Sequence, residues 1–145
     1  MSLPLGPPSV TYSSGSYSNE IVVAAVGINV WNDRGYKLTG FSGNANVLEG
    51  SALVRGPVRV YPGIVISITS YGSSDIYVAH EDSRDGGFDT SLPNTNNGWS
   101  LVSGAVTNTC CSSTKIWKKT LTADATTALP STTNEWVGSI YVKSG

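Results

Sequence analysis

From Val58 to His80 the chain reads VRVYPGIVISITSYGSSDIYVAH, and no other stretch limits the fold as strongly. Ile64, Ile66 and Ile68 recur at every second position. Ser67 and Thr69 lie between them, so one face is apolar and the other mostly polar. A period of two belongs to a half-buried strand. Pro62-Gly63 before it and Gly72-Ser73-Ser74-Asp75 after it are turn chemistry, because Pro presets φ and Gly supplies positive φ. Val58-Arg59-Val60-Tyr61 and Ile76-Tyr77-Val78-Ala79 alternate on either side, which predicts a three-strand antiparallel meander. Burying each isoleucine is worth roughly 1.5–3 kcal/mol. This face is therefore expected to be core.

The remaining segments carry the same signature. Residues 1–19, rich in Pro, Ser, Gly and Tyr, read as an extended N-terminal arm that pairs on a sheet edge near Thr11 to Tyr17. Residues 20–145 read as a single domain. Glu20 to Trp31 is a long first strand, apolar on both faces at its centre, with Gly27 marking a bulge or close approach. Asn32-Asp33-Arg34-Gly35 turns it into Tyr36 to Phe41, and Val47 to Val54 follows, interrupted by Gly50. Strands resume at Trp99 to Val102, Ala105 to Thr109 and Thr114 to Lys118. Leu121 to Thr133 looks irregular, and Trp136 to Val142 closes the chain as a strand. Short strands between Gly, Pro and Asn turns, without a substantial helix, predict an all-β fold. An antiparallel β-sandwich is the leading form, with jelly roll and β-prism as alternatives.

Composition removes several classes of partner. Charged residues make up 13% of the 145 and the net charge is −1, so nucleic acid is not expected, since phosphate binding needs clustered Lys and Arg. Lys115, Lys118 and Lys119 are the only local basic group and read as a solvated strand end. No apolar run reaches the roughly 20 residues of a membrane-spanning helix. Met1 to Pro8 lacks the basic start of a signal peptide. The expectation is a cytoplasmic protein, or a secreted one without a recognisable signal. Cys110 and Cys111 are adjacent, with α-carbons about 3.8 Å apart. Disulfides prefer 4.4–6.8 Å, so two thiols are favoured over a strained bridge between neighbours.

Catalytic constellations are sparse. His80, the one histidine, sits at a strand end beside Glu81-Asp82. Gly40-Phe41-Ser42-Gly43 lacks the spacing of a nucleophile elbow. An enzyme is not expected. Between His80 and Trp99 the period disappears, and connections beyond about 12–15 residues are uncommon unless functional or disordered. Glu81, Asp82, Asp85 and Asp89 gather here, but their spacing departs from an EF-hand loop. Calcium is the one metal to test, and no cofactor is expected.

The same stretch ends in Pro93-Asn94-Thr95-Asn96-Asn97-Gly98-Trp99, short amides and hydroxyls beside an indole. Carboxylates and amides pair with sugar hydroxyls, and an aromatic ring covers the apolar face of a sugar. Asp85, Asp89, Asn94, Asn96, Asn97 and Trp99 are therefore the candidate ligand contacts, although Trp99 has a competing place in the core with Leu101. Trp31 and Trp117 are further aromatic candidates, and Trp136 is expected to fill the core. The leading expectation is a non-enzymatic carbohydrate-binding protein, a lectin, with glycans or glycoconjugates as partners and a homo-oligomeric state. The alternative is a membrane-active or structural β protein, pore-forming or self-assembling. Weakly charged edges at Thr11 to Tyr17 and Trp136 to Val142 motivate the oligomer.

Overall fold

A computed structural model describes residues 8–14, 17–57, 65–70, 72–80, 98–129 and 138–144. In them the chain forms twelve strands and one 3-10 turn. The strands are β1 (Ser9–Tyr12), β2 (Glu20–Val23), β3 (Leu38–Gly43), β4 (Ala52–Arg55), β5 (Ile66–Thr69) and β6 (Ser74–His80). Then come β7 (Ser100–Val102), β8 (Gly104–Asn108), β9 (Ser112–Ser113), β10 (Lys115–Leu121), β11 (Thr126–Leu129) and β12 (Gly138–Ser144); the 3-10 turn spans Asn44–Leu48. They build three antiparallel sheets. One has six strands in the order β2-β4-β12-β6-β10-β7, and two have three, β1-β5-β11 and β3-β8-β9.

The fold is all-β and sandwich-like, as the alternating segments predict. The six-stranded sheet is the middle layer. Its odd and even residues enter different cores, as period-two geometry requires. Leu53, Tyr77, Ala79, Ile116 and Tyr141 point to a first core shared with Leu38 of β3 and Val106 of β8. Val54, Ile76, Val78, Ile140 and Val142 point to a second, shared with Ile66 and Ile68 of β5. Each small sheet therefore covers one face of the large one.

This layering corrects the predicted meander. β5 pairs with β1 and β11, whereas β6 pairs with β12 and β10. Ile66 and Ile68 face Ile76 and Val78 across the second core rather than lying beside them in one sheet. The turn that carries the chain between layers is held by hydroxyls. The Ser70 Oγ donates to the Gly72 carbonyl, and Ser74 Oγ donates to the same carbonyl at 3.0 Å. Ser74 Oγ, 2.8 Å from Ser70 Oγ, is an alternative acceptor for the same Ser70 proton. Both serines are buried, so these bonds satisfy groups that water cannot reach. Residues 58–64, the rest of the predicted meander, lie outside the described residues.

Other expectations also change. The long first strand stops at Val23, because Gly27 takes φ 98° and the chain leaves the sheet. Val47 to Val54 is divided between the 3-10 turn and β4, with Gly50 at φ 87° between them. Thr126–Leu129, read as irregular, is β11. The last strand, read as an edge, is interior: β12 lies between β4 and β6. Part of the N-terminal arm is built into the fold, since β1 pairs with β5 and Val10 and Tyr12 pack on the second core.

Two buried polar contacts fasten the middle sheet. Trp31 Nε1 donates to the Gly138 carbonyl at 2.8 Å and ties the β2–β3 connection to β12. Ser139 Oγ donates to the Tyr141 phenol oxygen at 3.0 Å inside the first core. Burial raises the Tyr141 phenol well above its ordinary value near 10, and the Ser139 bond opposes this only in part. The folded chain then keeps a proton that the unfolded chain releases above about pH 10, so stability is complete below that pH and declines above it. Unfolding free energy should fall by about 1.4 kcal/mol per pH unit from this tyrosine. Denaturant titrations between pH 9 and 12 on the native chain and Tyr141→Phe test this. The variant should show the shallower slope, and equal slopes would contradict it.

Candidate functional site

Asp85, Asp89, Asn94, Asn96 and Asn97 lie outside the described residues, so the site is approached from its two ends. His80 ends β6, opposite Lys115 of β10 and Gly138 of β12. The chain reappears at Gly98, where φ is 84°, and Ser100 pairs with Lys118 of β10. Residues 81–97 thus join two strands that flank the same neighbour, β10. Ala79 is fully buried before the gap, and Trp99 is buried directly after it. Both attachments are fixed in the layered core.

Trp99 is the one predicted contact that the structure describes. It is 2% exposed and packs with Ile76, Val78 and Leu121 in the second core, so it is a core residue as its competing reading had it, but without Leu101, which is 60% exposed. Lys119 Nζ sits over its ring, 5.8 Å from the centroid, and donates to Thr127 Oγ1 of β11 at 3.1 Å. A cation over an indole is attracted by the ring quadrupole. The ammonium therefore has two protein partners at the margin between layers. Gly98 takes φ 84°, a backbone conformation that favours glycine, beside the Lys119 stem.

Lys118 and Lys119 do not form the solvated strand end expected of them. Alternation sends Lys119 to the second core and Lys118 to the opposite face. There its ammonium lies 5.9 Å from the Tyr77 centroid and 3.6 Å from Asp75 Oδ2. Asp75 also accepts from Thr120 Oγ1 at 2.7 Å. Of the other aromatic candidates, Trp31 is 3% exposed and committed to Gly138, so its ring is closed to a ligand. Trp117 is half-buried against the second core, and its indole N–H has no hydrogen-bond partner among the described residues. Trp136 lies outside the described residues.

Among the described residues no group of three or more His, Cys, Asp or Glu side chains is placed to hold a metal ion. His80 is at a strand end, as its sequence context predicts. A separate groove of about 520 Å³ lies at the margin of the middle sheet, lined by Ile21, Val23, Ala52, Val142 and Lys143 among others. Trp99, the described predicted contact, does not line it. Sequence reasoning missed it because its residues come from three strands whose neighbours only the topology reveals. No helix among the described residues is long and apolar enough to cross a membrane.

Trp99→Ala should destabilise the fold by about 3–5 kcal/mol, the range for removing a buried aromatic. Chemical denaturation measures it. A loss below about 1 kcal/mol would mean that the ring does not hold the layers together.

No protein-family model matches this chain, and neither the curated proteins nor the solved structures compared with it gave a match.

Proposed function

We propose that the chain is a non-enzymatic carbohydrate-binding protein whose contacts come from the connection between β6 and β7. The observation that supports this is the anchoring of residues 81–97 to both flanks of β10. Binding residues are disproportionately found on loops held by a rigid scaffold. In this reading Asp85, Asp89, Asn94, Asn96 and Asn97 meet sugar hydroxyls, and Trp99 holds the returning end of the connection in the core. A carboxylate accepts hydroxyl protons and a side-chain amide both accepts and donates, so the set suits a ligand with neighbouring hydroxyls. Glycans are the proposed partners, with calcium as a test condition.

A glycan array run with and without EDTA tests the reading. Hits should appear with the native chain and disappear in an Asn94→Ala/Asn96→Ala/Asn97→Ala variant of unchanged stability. An empty array, with tryptophan fluorescence unmoved by common sugars, would sink it.

A second reading, self-assembly, is favoured by the β2 margin. Val23 is 66% exposed on this terminal strand, Val26 is 55% exposed just beyond it, and the apolar groove lies alongside. An uncovered strand edge is a template for pairing with another chain, and a two-fold pairing closes on itself. Light scattering after size exclusion should give a multiple of 15.2 kDa that returns to the single mass in Val23→Lys. A single mass for the native chain at tens of micromolar would remove this reading.

A further inference from the structure

Cys110 and Cys111 occupy the connection between β8 and β9, and neither the core nor the proposed sugar contacts explain a pair of thiols there. No disulfide joins them. Cys110 is exposed, and Cys111 is half-buried against the first core. The turn is organised by Asn108, whose Oδ1 accepts from the Cys110 N–H at 2.8 Å and the Cys111 N–H at 3.1 Å. The same oxygen lies 3.5 Å from Cys111 Sγ. One backbone bond closes the turn, from the Asn108 N–H to the Cys111 carbonyl at 2.9 Å.

We propose that Cys110 and Cys111 are a reversible oxidation site, which a peroxide closes into a disulfide between neighbouring residues and a thiol reopens. Such a ring requires the peptide between the two cysteines to rotate. The N–H of that peptide donates to the Asn108 side chain at 3.1 Å. The ladder bonds of the hairpin begin further along, at Thr107 opposite Ser112 and Val106 opposite Ser113. Rotation therefore breaks a side-chain contact and leaves the strand pairing in place. The closed form is strained, because neighbouring α-carbons are nearer than disulfides prefer, and strained disulfides are the easily reduced ones.

The chemistry balances in two steps. The Cys110 sulfur, the exposed one, attacks a peroxide oxygen as thiolate. The O–O bond breaks, giving a sulfenic acid, and the leaving oxygen departs as water after taking a proton. The Cys111 sulfur then attacks the Cys110 sulfur, the S–O bond breaks, and the hydroxyl leaves as a second water with the Cys111 proton. Two thiols and one peroxide become one disulfide and two waters. Reduction by an external thiol proceeds through a mixed disulfide and restores both thiols. Closure also draws the Cys111 side chain from the margin of the first core towards Cys110, so the tip of the β8–β9 hairpin changes shape with redox state.

The test treats the reduced full-length chain with hydrogen peroxide, blocks remaining thiols by alkylation and reads intact and peptide masses. The expected product has lost two hydrogens, mapped to the peptide containing both cysteines, and dithiothreitol restores it. Cys111→Ser should stop at the sulfenic acid and be trapped by dimedone on Cys110. Oxygen addition without ring closure, chains cross-linked through Cys110, or no reaction would each overturn the proposal. The native-chain masses decide the outcome even if the serine variant fails to fold.

Discussion

Burial of the six-stranded sheet on both faces is the constraint on which the rest of the molecule depends. A sheet with one wet face needs apolar residues only at alternate positions. A middle sheet needs them at every position, and β6 supplies Ile76, Tyr77, Val78 and Ala79 in unbroken sequence, all buried. β12 does the same with Ile140, Tyr141 and Val142. Each face then requires its own cover, hence one small sheet on either side. The covering strands alternate apolar and polar, as β5 does with Ile66, Ser67, Ile68 and Thr69. An unpaired buried polar group in the middle layer costs on the order of 1–3 kcal/mol, a cost that Trp117 carries among the described residues and that paired groups avoid. Ser139 with Tyr141, and Trp31 with Gly138, are paired in this way.

The difference between those two patterns was present in the sequence, and it marks what could be read there. Period two identified Ile66-Ser67-Ile68-Thr69 as a strand, and the apolar run of β6 identified another. Neither pattern names a pairing partner. A glycine–serine stretch of the length between them serves equally for a hairpin within one sheet and for an arch between two. The arch is set by partners distant in sequence, since β5 pairs with β1 and β11 and faces β6 across the second core; the hydroxyls of Ser70 and Ser74 then hold the turn at the Gly72 carbonyl. β11 escaped notice for a similar reason. Thr126-Thr127-Ala128 has no apolar alternation of its own, and becomes a strand because β5 offers it an edge: Thr127 is buried opposite Ile68.

At the candidate site the sequence revealed the break in periodicity after His80 and the doubtful standing of Trp99. It did not reveal how the break is anchored. Lys119 illustrates the gap, since in sequence it belongs to a basic group at a strand end. In the fold its register opposite Ile76 aims it into the second core, where the Trp99 ring and Thr127 receive it. Lys118, one residue earlier, must face the other way and finds Tyr77 and Asp75. Two neighbouring lysines thus take unrelated jobs because alternation sends them to opposite faces of the sheet, each packed against a different layer. The aliphatic stem of each covers apolar surface while the ammonium reaches a polar partner.

The same layering decides where the molecule is open. Stacking the sheets covers faces and leaves edges, and in the middle sheet these are β2 and β7. Both are short, four residues and three, which is one way a protein limits edge pairing. They are not protected equally. β7 carries its exposed Leu101 beside Trp117 of β10 and emerges directly from the anchored connection, so its surroundings belong to the proposed binding region. β2 has an ion pair at one end, Glu20 with Arg55 at 2.8 Å, while at the other end Val23 is exposed beside a groove that Lys143 also lines. An exposed cross-strand ion pair contributes at most about 1 kcal/mol and is screened by salt. It guards the Glu20 end without covering the valine end. The two edges therefore differ in kind: β7 continues directly from Trp99 in the second core, and β2 ends in an exposed valine beside an apolar groove.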